Sequence, residues 1–134
     1  MLDLGRGFNP LVAAALEGVD EAFLVTTLDV PALHQVKQIV QAVGETGPAR
    51  NRLRLVLNRV PKNPDVTADE LEKLLGISVH SMLADDYASI YEAYAEGQLL
   101  PASSNLGKQL ARLAARIAGV PEQSEKKKFS LFGD

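Results

Sequence analysis

The chain has 134 residues, 46% of them apolar and 23% charged, with a net charge of −3, no cysteine and two histidines. That is enough chain to bury one real core, with a composition too ordinary for a disordered or fibrous protein. The missing cysteine excludes disulfides and thiolate metal sites, no apolar run approaches the ~18 residues of a membrane span, and the mild acidity argues against nucleic acid as a partner.

The first residues, Met1-Leu2-Asp3-Leu4-Gly5-Arg6-Gly7-Phe8, read as the last turn of a buried strand running into a glycine loop. The chain is therefore expected to open in the middle of a fold. No basic segment followed by an apolar core stands at this end, so a cytoplasmic location is expected. Asn9 is placed to cap a short helix with Pro10 at its first position, where the missing N–H costs nothing. Leu11, Ala14 and Ala15 are expected to face inward, with Gly18 ending the helix. Ala22 to Thr27 is nearly continuously apolar, as in a strand covered on both faces. Leu33, Val36, Val40 and Val43 then recur at helical spacing, opposite Lys37, Gln38 and Gln41, until Gly44 to Pro48 breaks the pattern.

Leu53 to Leu57 is the second clear strand and ends at Asn58-Arg59. Beyond the loop at Pro61 to Asp65, Thr67 and Glu70 form a capping box, flanked by Val66 and Leu71 at hydrophobic-staple positions. Leu71, Leu74 and Leu75 supply that helix's apolar face, and Gly76 suits its C-terminal cap. A weaker third strand covers Ile77 to Leu83, a helix runs from about Asp86 to Glu96, and Ser103 or Ser104 starts the last helix. Leu106, Leu110, Leu113 and Ile117 form its stripe, and Gly119 and Pro121 close it. Residues 122–134 are polar and charged until Phe129-Ser130-Leu131-Phe132 and read as a tail. The alternation of strand and helix makes this an α/β domain, with parallel strands joined by right-handed crossovers.

In such a sheet all strand C-termini share one edge, and ligands bind there. Three features fall on it: Asp3 with its glycines, Asn58-Arg59, and Ala84-Asp85-Asp86. A strand-end carboxylate followed by glycines suits phosphate or Mg²⁺, although a lone Gly-x-Gly is a weak signal by itself. An asparagine there can offer a donor and an acceptor to a purine edge, or simply form a local turn with Arg59. Asp85 and Asp86 precede a helix, where a carboxylate also serves as an ordinary cap. His34 and His80 lie far apart and read as surface or packing residues.

Taken together and in order, four stretches resemble the C-terminal half of MinD/ParA-type ATPases, above all the pilus-assembly branch called CpaE or TadZ. They are Asp3 to Phe8, Phe23 to Leu33, Val56 to Val60, and Asp85-Asp86-Tyr87 followed by Glu92 to Gly97. The resemblance implies a three-layer, mostly parallel sheet with flanking helices, a partial P-loop NTPase fold of the SIMIBI type lacking its phosphate-loop half. The resemblance covers about residues 1–118, the domain is expected to span residues 1–121, and 122–134 are expected to be a flexible basic and apolar tail. It implies that Asp3 is the switch II aspartate that reaches Mg²⁺ through water, and that Gly7 is the switch glycine. Asn58 and the adjoining Arg59 then read the adenine edge, and Ala84 and Asp86 belong to the loop closing over the base. The family usually has proline at the positions of Gly5 and Ala84. ATP and Mg²⁺ are the cofactors implied for the intact protein, with none expected on this chain alone, which is expected to be inactive. Self-association through the strand at 22–27 is expected, since the strand that would lie beside it belongs to the missing N-terminal half. Lys126, Lys127, Lys128, Phe129, Leu131 and Phe132 resemble the membrane-targeting tail of MinD-like proteins and imply a weak peripheral contact at the inner membrane face. The competing expectation is a non-catalytic interaction or dimerisation module with a flavodoxin-like or degenerate NTPase fold.

Overall fold

The computed structural model describes residues 1–45 and 47–120. Asn9 opens α1 (Pro10–Glu17), its side-chain oxygen accepting the Val12 N–H at 3.0 Å. With only eight residues, α1 buries Leu16, and Phe8 and Val12 pack beside it against Val43 and Ala49. This corrects the expected face: Leu11 and Ala14 point outward. Arg52 holds the end of α1, its Nη1 donating to the carbonyls of Leu16, Glu17 and Val19 at 3.0–3.3 Å. These are the acceptors a short helix leaves open, and a cation is the natural partner for them.

The chain then alternates strand and helix: β1 (Ala22–Thr26), α2 (Val30–Glu45), a 3₁₀ turn at Pro48–Arg52, β2 (Leu53–Val60), α3 (Ala68–Leu75), β3 (Val79–Ala84), α4 (Tyr87–Ala95) and α5 (Asn105–Ile117). The capping box of α3 is complete, since Thr67 accepts the Glu70 N–H while the Glu70 carboxylate accepts the Thr67 N–H at 2.8 Å. These bonds hold the Glu70 carboxyl below the usual carboxylate range. Gly76 ends α3 at φ +70°, a left-handed value that glycine adopts without a Cβ penalty. Two helix ends are Schellman turns. At α5 the Val120 N–H reaches the Ala115 carbonyl at 2.9 Å with Gly119 at φ +65°, and α4 ends the same way at Gly97.

The three strands are parallel in the order β1-β2-β3, with Leu24 opposite Leu55, Thr26 opposite Leu57 and Val60 opposite Ala84. Alternation along β2 sends Leu53, Leu55 and Leu57 to one face, where Val36 and Val40 of α2 and Leu71 and Leu75 of α3 cover them. Val56 faces the other way, with Leu83 of β3 and Leu106 of α5. The fold is thus the expected three-layer α/β arrangement of a parallel sheet between helices.

Three expectations need correction. Met1 to Leu4 form no strand and are exposed, since they pair with none of the three strands and no described residues cover them. β1 is not covered on both faces: Val25 is 58% exposed, on the side it shares with Phe23. The stripe of α5 is only half buried, Leu106 lying in the core while Leu110 and Ile117 are 41% and 50% exposed. No helix of the described residues is long and apolar enough to cross a membrane. The expected tail at 122–134 and the closing Pro121 lie outside the described residues.

Candidate functional site

The register gathers the polar strand ends. Thr26 ends β1 opposite Leu57, one residue before Asn58, and Val60 lies opposite Ala84 at the end of β3. The Asp85 N–H then donates to the Val60 carbonyl at 2.9 Å, so the loop after β3 is tied to the end of β2. Asn58, Arg59, Ala84, Asp85 and Asp86 therefore form one neighbourhood, with Thr27 and Asp29 beside it on the β1 side.

Within it, β2 is irregular. The pairing with β3 shifts between Leu57 and Val60, and Arg59 has φ +54°, the single positive φ outside glycine among the described residues. A β-bulge re-aims the side chains around it, and a non-glycine residue there carries a cost of about 1–3 kcal/mol. The Asn58 Oδ1 accepts the Arg59 N–H at 3.0 Å, the local turn that the sequence left open. Its Nδ2 makes no hydrogen bond among the described residues, and a carbonyl oxygen has a second lone pair, so the amide still presents a donor and an acceptor. Arg59 pairs loosely with Asp85, Nε to Oδ1 at 3.9 Å, an exposed contact of little energetic weight.

Ala84 stands where proline is usual in the family that the sequence resembles, and its N–H explains what the change allows. It donates to Gln109 Oε1 of α5 at 2.7 Å, a bond no proline could make. Asp86 caps α4, Oδ1 accepting the Ser89 N–H at 3.4 Å, so the capping role is realised whatever else the residue does.

Asp3 and Gly7 are placed differently. The Asp3 Oδ1 accepts the Gly5 N–H at 3.0 Å, and no hydrogen bond or ion pair joins residues 1–7 to the other strand ends. Gly5 and Gly7 have φ +70° and +84°. Proline, locked near −65°, cannot take the first of these, so the Gly5 loop has a shape of its own.

Two groups at this edge had no role assigned from the sequence. Asp29 caps α2 through the Ala32 N–H at 3.1 Å and also accepts the Thr27 hydroxyl, and these bonds, Thr27's first, lower its pKa. Its signal was an aspartate two residues before Pro31 at a helix start. Gln109 carries no comparable signal, since an acceptor one helix away can be seen only in three dimensions.

The donor set can be tested against the nucleotide that the resemblance implies. Asn58 with its open amide fits the edge of a base. The phosphate side does not fit as well. The sequence has no glycine-rich loop ending in lysine, and among the described residues no three His, Asp or Glu side chains converge as a metal cage.

The parallel α/β sheet carries these polar residues at the C-terminal ends of its strands, the edge at which sheets of this kind bind ligands. The solved structure of a ParA family ATPase from Chlorobium tepidum TLS is similar to it, with a TM-score of 0.69 and 24% sequence identity over 83% of this chain. The likeness establishes a ParA-like fold. This chain spans 47% of the length of that protein, about half. No protein-family model and no curated protein matches the chain.

Proposed function

We propose that the chain is the switch- and base-side part of a nucleotide-switch ATPase of the MinD/ParA type, serving the positioning or assembly of pilus or secretion machinery. The supporting observation is that Asn58, Arg59, Ala84 and Asp86 meet at the strand-end edge of a parallel sheet with a ParA-like fold. Asn58 would meet the adenine edge, the loop at Asp86 would close over the base, and Asp3 with Gly7 would follow the γ-phosphate and Mg²⁺. ATP would drive dimerisation of the whole protein, and hydrolysis would release it. Catalysis of phosphoryl transfer is almost entirely positioning and electrostatics. Without a phosphate loop this chain alone is expected not to turn ATP over.

Adenosine titration followed by NMR tests this reading. Shifts are expected at Asn58, Arg59, Asp85 and Asp86, with a Kd no tighter than ~1 mM, about −4 kcal/mol, and should vanish in Asn58→Ala. Shifts scattered over the surface, or none at Asn58, sink it. A glycine-rich loop ending in lysine in the coding frame upstream of Met1 would support the whole-protein reading directly.

The exposed Val25 and the open edge of β1 favour a second role as a docking module, alone or beside the first. An uncovered apolar strand edge is a template for pairing. Self-association through residues 22–27 is the expected outcome, read by sedimentation and hydrogen exchange. A monodisperse monomer with β1 protected contradicts it. The tail's lysines each contribute about 1 kcal/mol near an anionic leaflet, so a weak peripheral membrane contact belongs to the same proposal. Equal liposome recovery with and without residues 125–134 ends it.

A further inference from the structure

A cleft of about 590 Å³ opens where the last turns of α2 and α3 meet the 3₁₀ turn at Pro48–Arg52. That turn runs straight into β2 at Leu53, and three residues separate the end of α3 from β3. The cleft therefore sits at the N-terminal ends of the strands, away from Asn58 and Asp86. Its volume falls in the range of roughly 300–1,000 Å³ usual for small-molecule sites.

Three cations line it, Lys37 from α2, Arg50 from the turn and Lys73 from α3. No carboxylate among the described residues lines it. None of the three cations has an ion pair there, the described pairs being Arg54 with Glu21 and Arg59 with Asp85. Asp69 and Glu72 line a neighbouring hollow, and the Glu72 carboxylate is engaged, accepting the Val79 N–H at 2.7 Å. A cation at a helix C-terminus complements the dipole, and Lys73 in the last turn of α3 does so. The balance is still positive, because two helix ends carry roughly −0.5 charge each against three full positive charges. Like charges held together repel one another until an anion joins them.

Arg50 gives the cluster a fixed point. Its Nη2 donates to the Gly76 carbonyl at 3.0 Å. A Cβ at Gly76 would lie 3.3 Å from Nη2, and one at Gly44 would lie 3.6 Å from Nη1. The guanidinium thus occupies the gap that these two glycines leave between the helix ends. One of its five N–H donors is spent on Gly76, and the rest of the planar fork is placed in advance for bidentate contact with a phosphate. Val40 and Leu74 add apolar wall beside it, suited to whatever carries the phosphate.

We propose that this cleft binds a small molecule bearing a phosphate monoester. Arg50 holds the phosphate through its fork, Lys37 and Lys73 neutralise it, and the organic part rests on Val40 and Leu74. The site lies apart from the nucleotide edge and does not depend on that reading.

Phenyl phosphate is the probe, with inorganic phosphate and phenol as its two halves. Followed by NMR, it should shift the amides of Gly44, Arg50 and Gly76 and leave those of Asn58 and Asp86 in place. It should bind about ten-fold more tightly than inorganic phosphate, and phenol should give no saturable shift. Lys37→Gln combined with Lys73→Gln, both exposed positions, should weaken phenyl phosphate about ten-fold at an unchanged denaturant midpoint. Arg50→Lys keeps the charge and loses the fork, and should weaken binding by about the same factor. Because that variant also gives up the Gly76 contact, the lysine pair decides the matter if its midpoint falls. Equal shifts with phenol, or an affinity indifferent to the lysine pair, overturn the inference. Shifts with a DNA duplex but none with phenyl phosphate overturn it in favour of an extended polyanion.

Discussion

The two faces of the sheet are built to different degrees of completion. On the face of α2 and α3, Leu55, Leu57 and Leu71 are fully buried and every inward position of β2 is covered. On the face of α5, Val56, Leu83 and Leu106 form a small cluster, and beside it Val25, Leu110 and Ile117 stand open. Both faces come from the same strands, so strand propensity cannot account for the contrast. What differs is the number of helices: two cover the first face and α5 alone lies on the second. Stability should therefore be concentrated on one side of the sheet, leaving the other side's open rim for contact.

Large-to-small substitutions offer the widest gap between the faces. Leu57→Ala should cost about 2–5 kcal/mol, as a fully buried side chain is lost and its site cannot collapse. Val25→Ala on the open side should stay within about 0.5 kcal/mol, the usual range for an exposed position. Denaturant titration of both variants decides it, and equal losses would break the comparison. On the α5 side the effect returns where packing is tight. A Cβ at Gly107 would lie 2.1 Å from the Pro101 carbonyl oxygen and 3.1 Å from Ala102 Cα, both backbone atoms. Gly107→Ala should therefore cost about 1–3 kcal/mol, measured the same way. Next in size is Gln109→Leu, which strands the Ala84 N–H in a half-buried place. A loss of about 1 kcal/mol is expected, with faster hydrogen exchange at Ala84. If exchange there does not change, the Gln109 bond contributes little to holding α5 on β3.

The better-packed face was the more legible one in the sequence. Helical spacing of Val36, Val40 and Val43, the Thr67–Glu70 box and the apolar run at Leu53 all report local chemistry that tertiary contacts then reinforced. The open face misled, because an apolar run such as Phe23-Leu24-Val25 states what a strand prefers to have covered, never whether a helix arrives to cover it. The same limit applied to α1, too short for its periodicity to choose a face. At the candidate site, the strand ends were placed on one edge by the parallel topology alone. The left-handed Arg59 and the bond from Ala84 to Gln109 were beyond sequence reasoning, since the first accompanies the shifted register of β2 and β3 and the second depends on where α5 lies against β3.

The smallest expected effect lies on the α5 face, where His80 packs edge-on against Phe23 with ring centroids 5.3 Å apart. Burial disfavours the charged ring, the Arg116 and Arg54 guanidinium groups oppose it further, and Glu21 compensates only in part, so the pKa lies below its ordinary 6.5. The unfolded chain then takes up a proton at a higher pH than the folded one, and stability rises with pH through this interval. Above the unfolded value the ring is neutral in both states and contributes no pH dependence. As pH falls below about 6.5, stability should decline until the folded ring also protonates. Denaturant midpoints between pH 7.5 and 5.5 should fall more steeply for the unmodified chain than for His80→Gln. Parallel slopes would mean that His80 is as well solvated as in the unfolded chain, and that the open face reaches inward as far as Phe23.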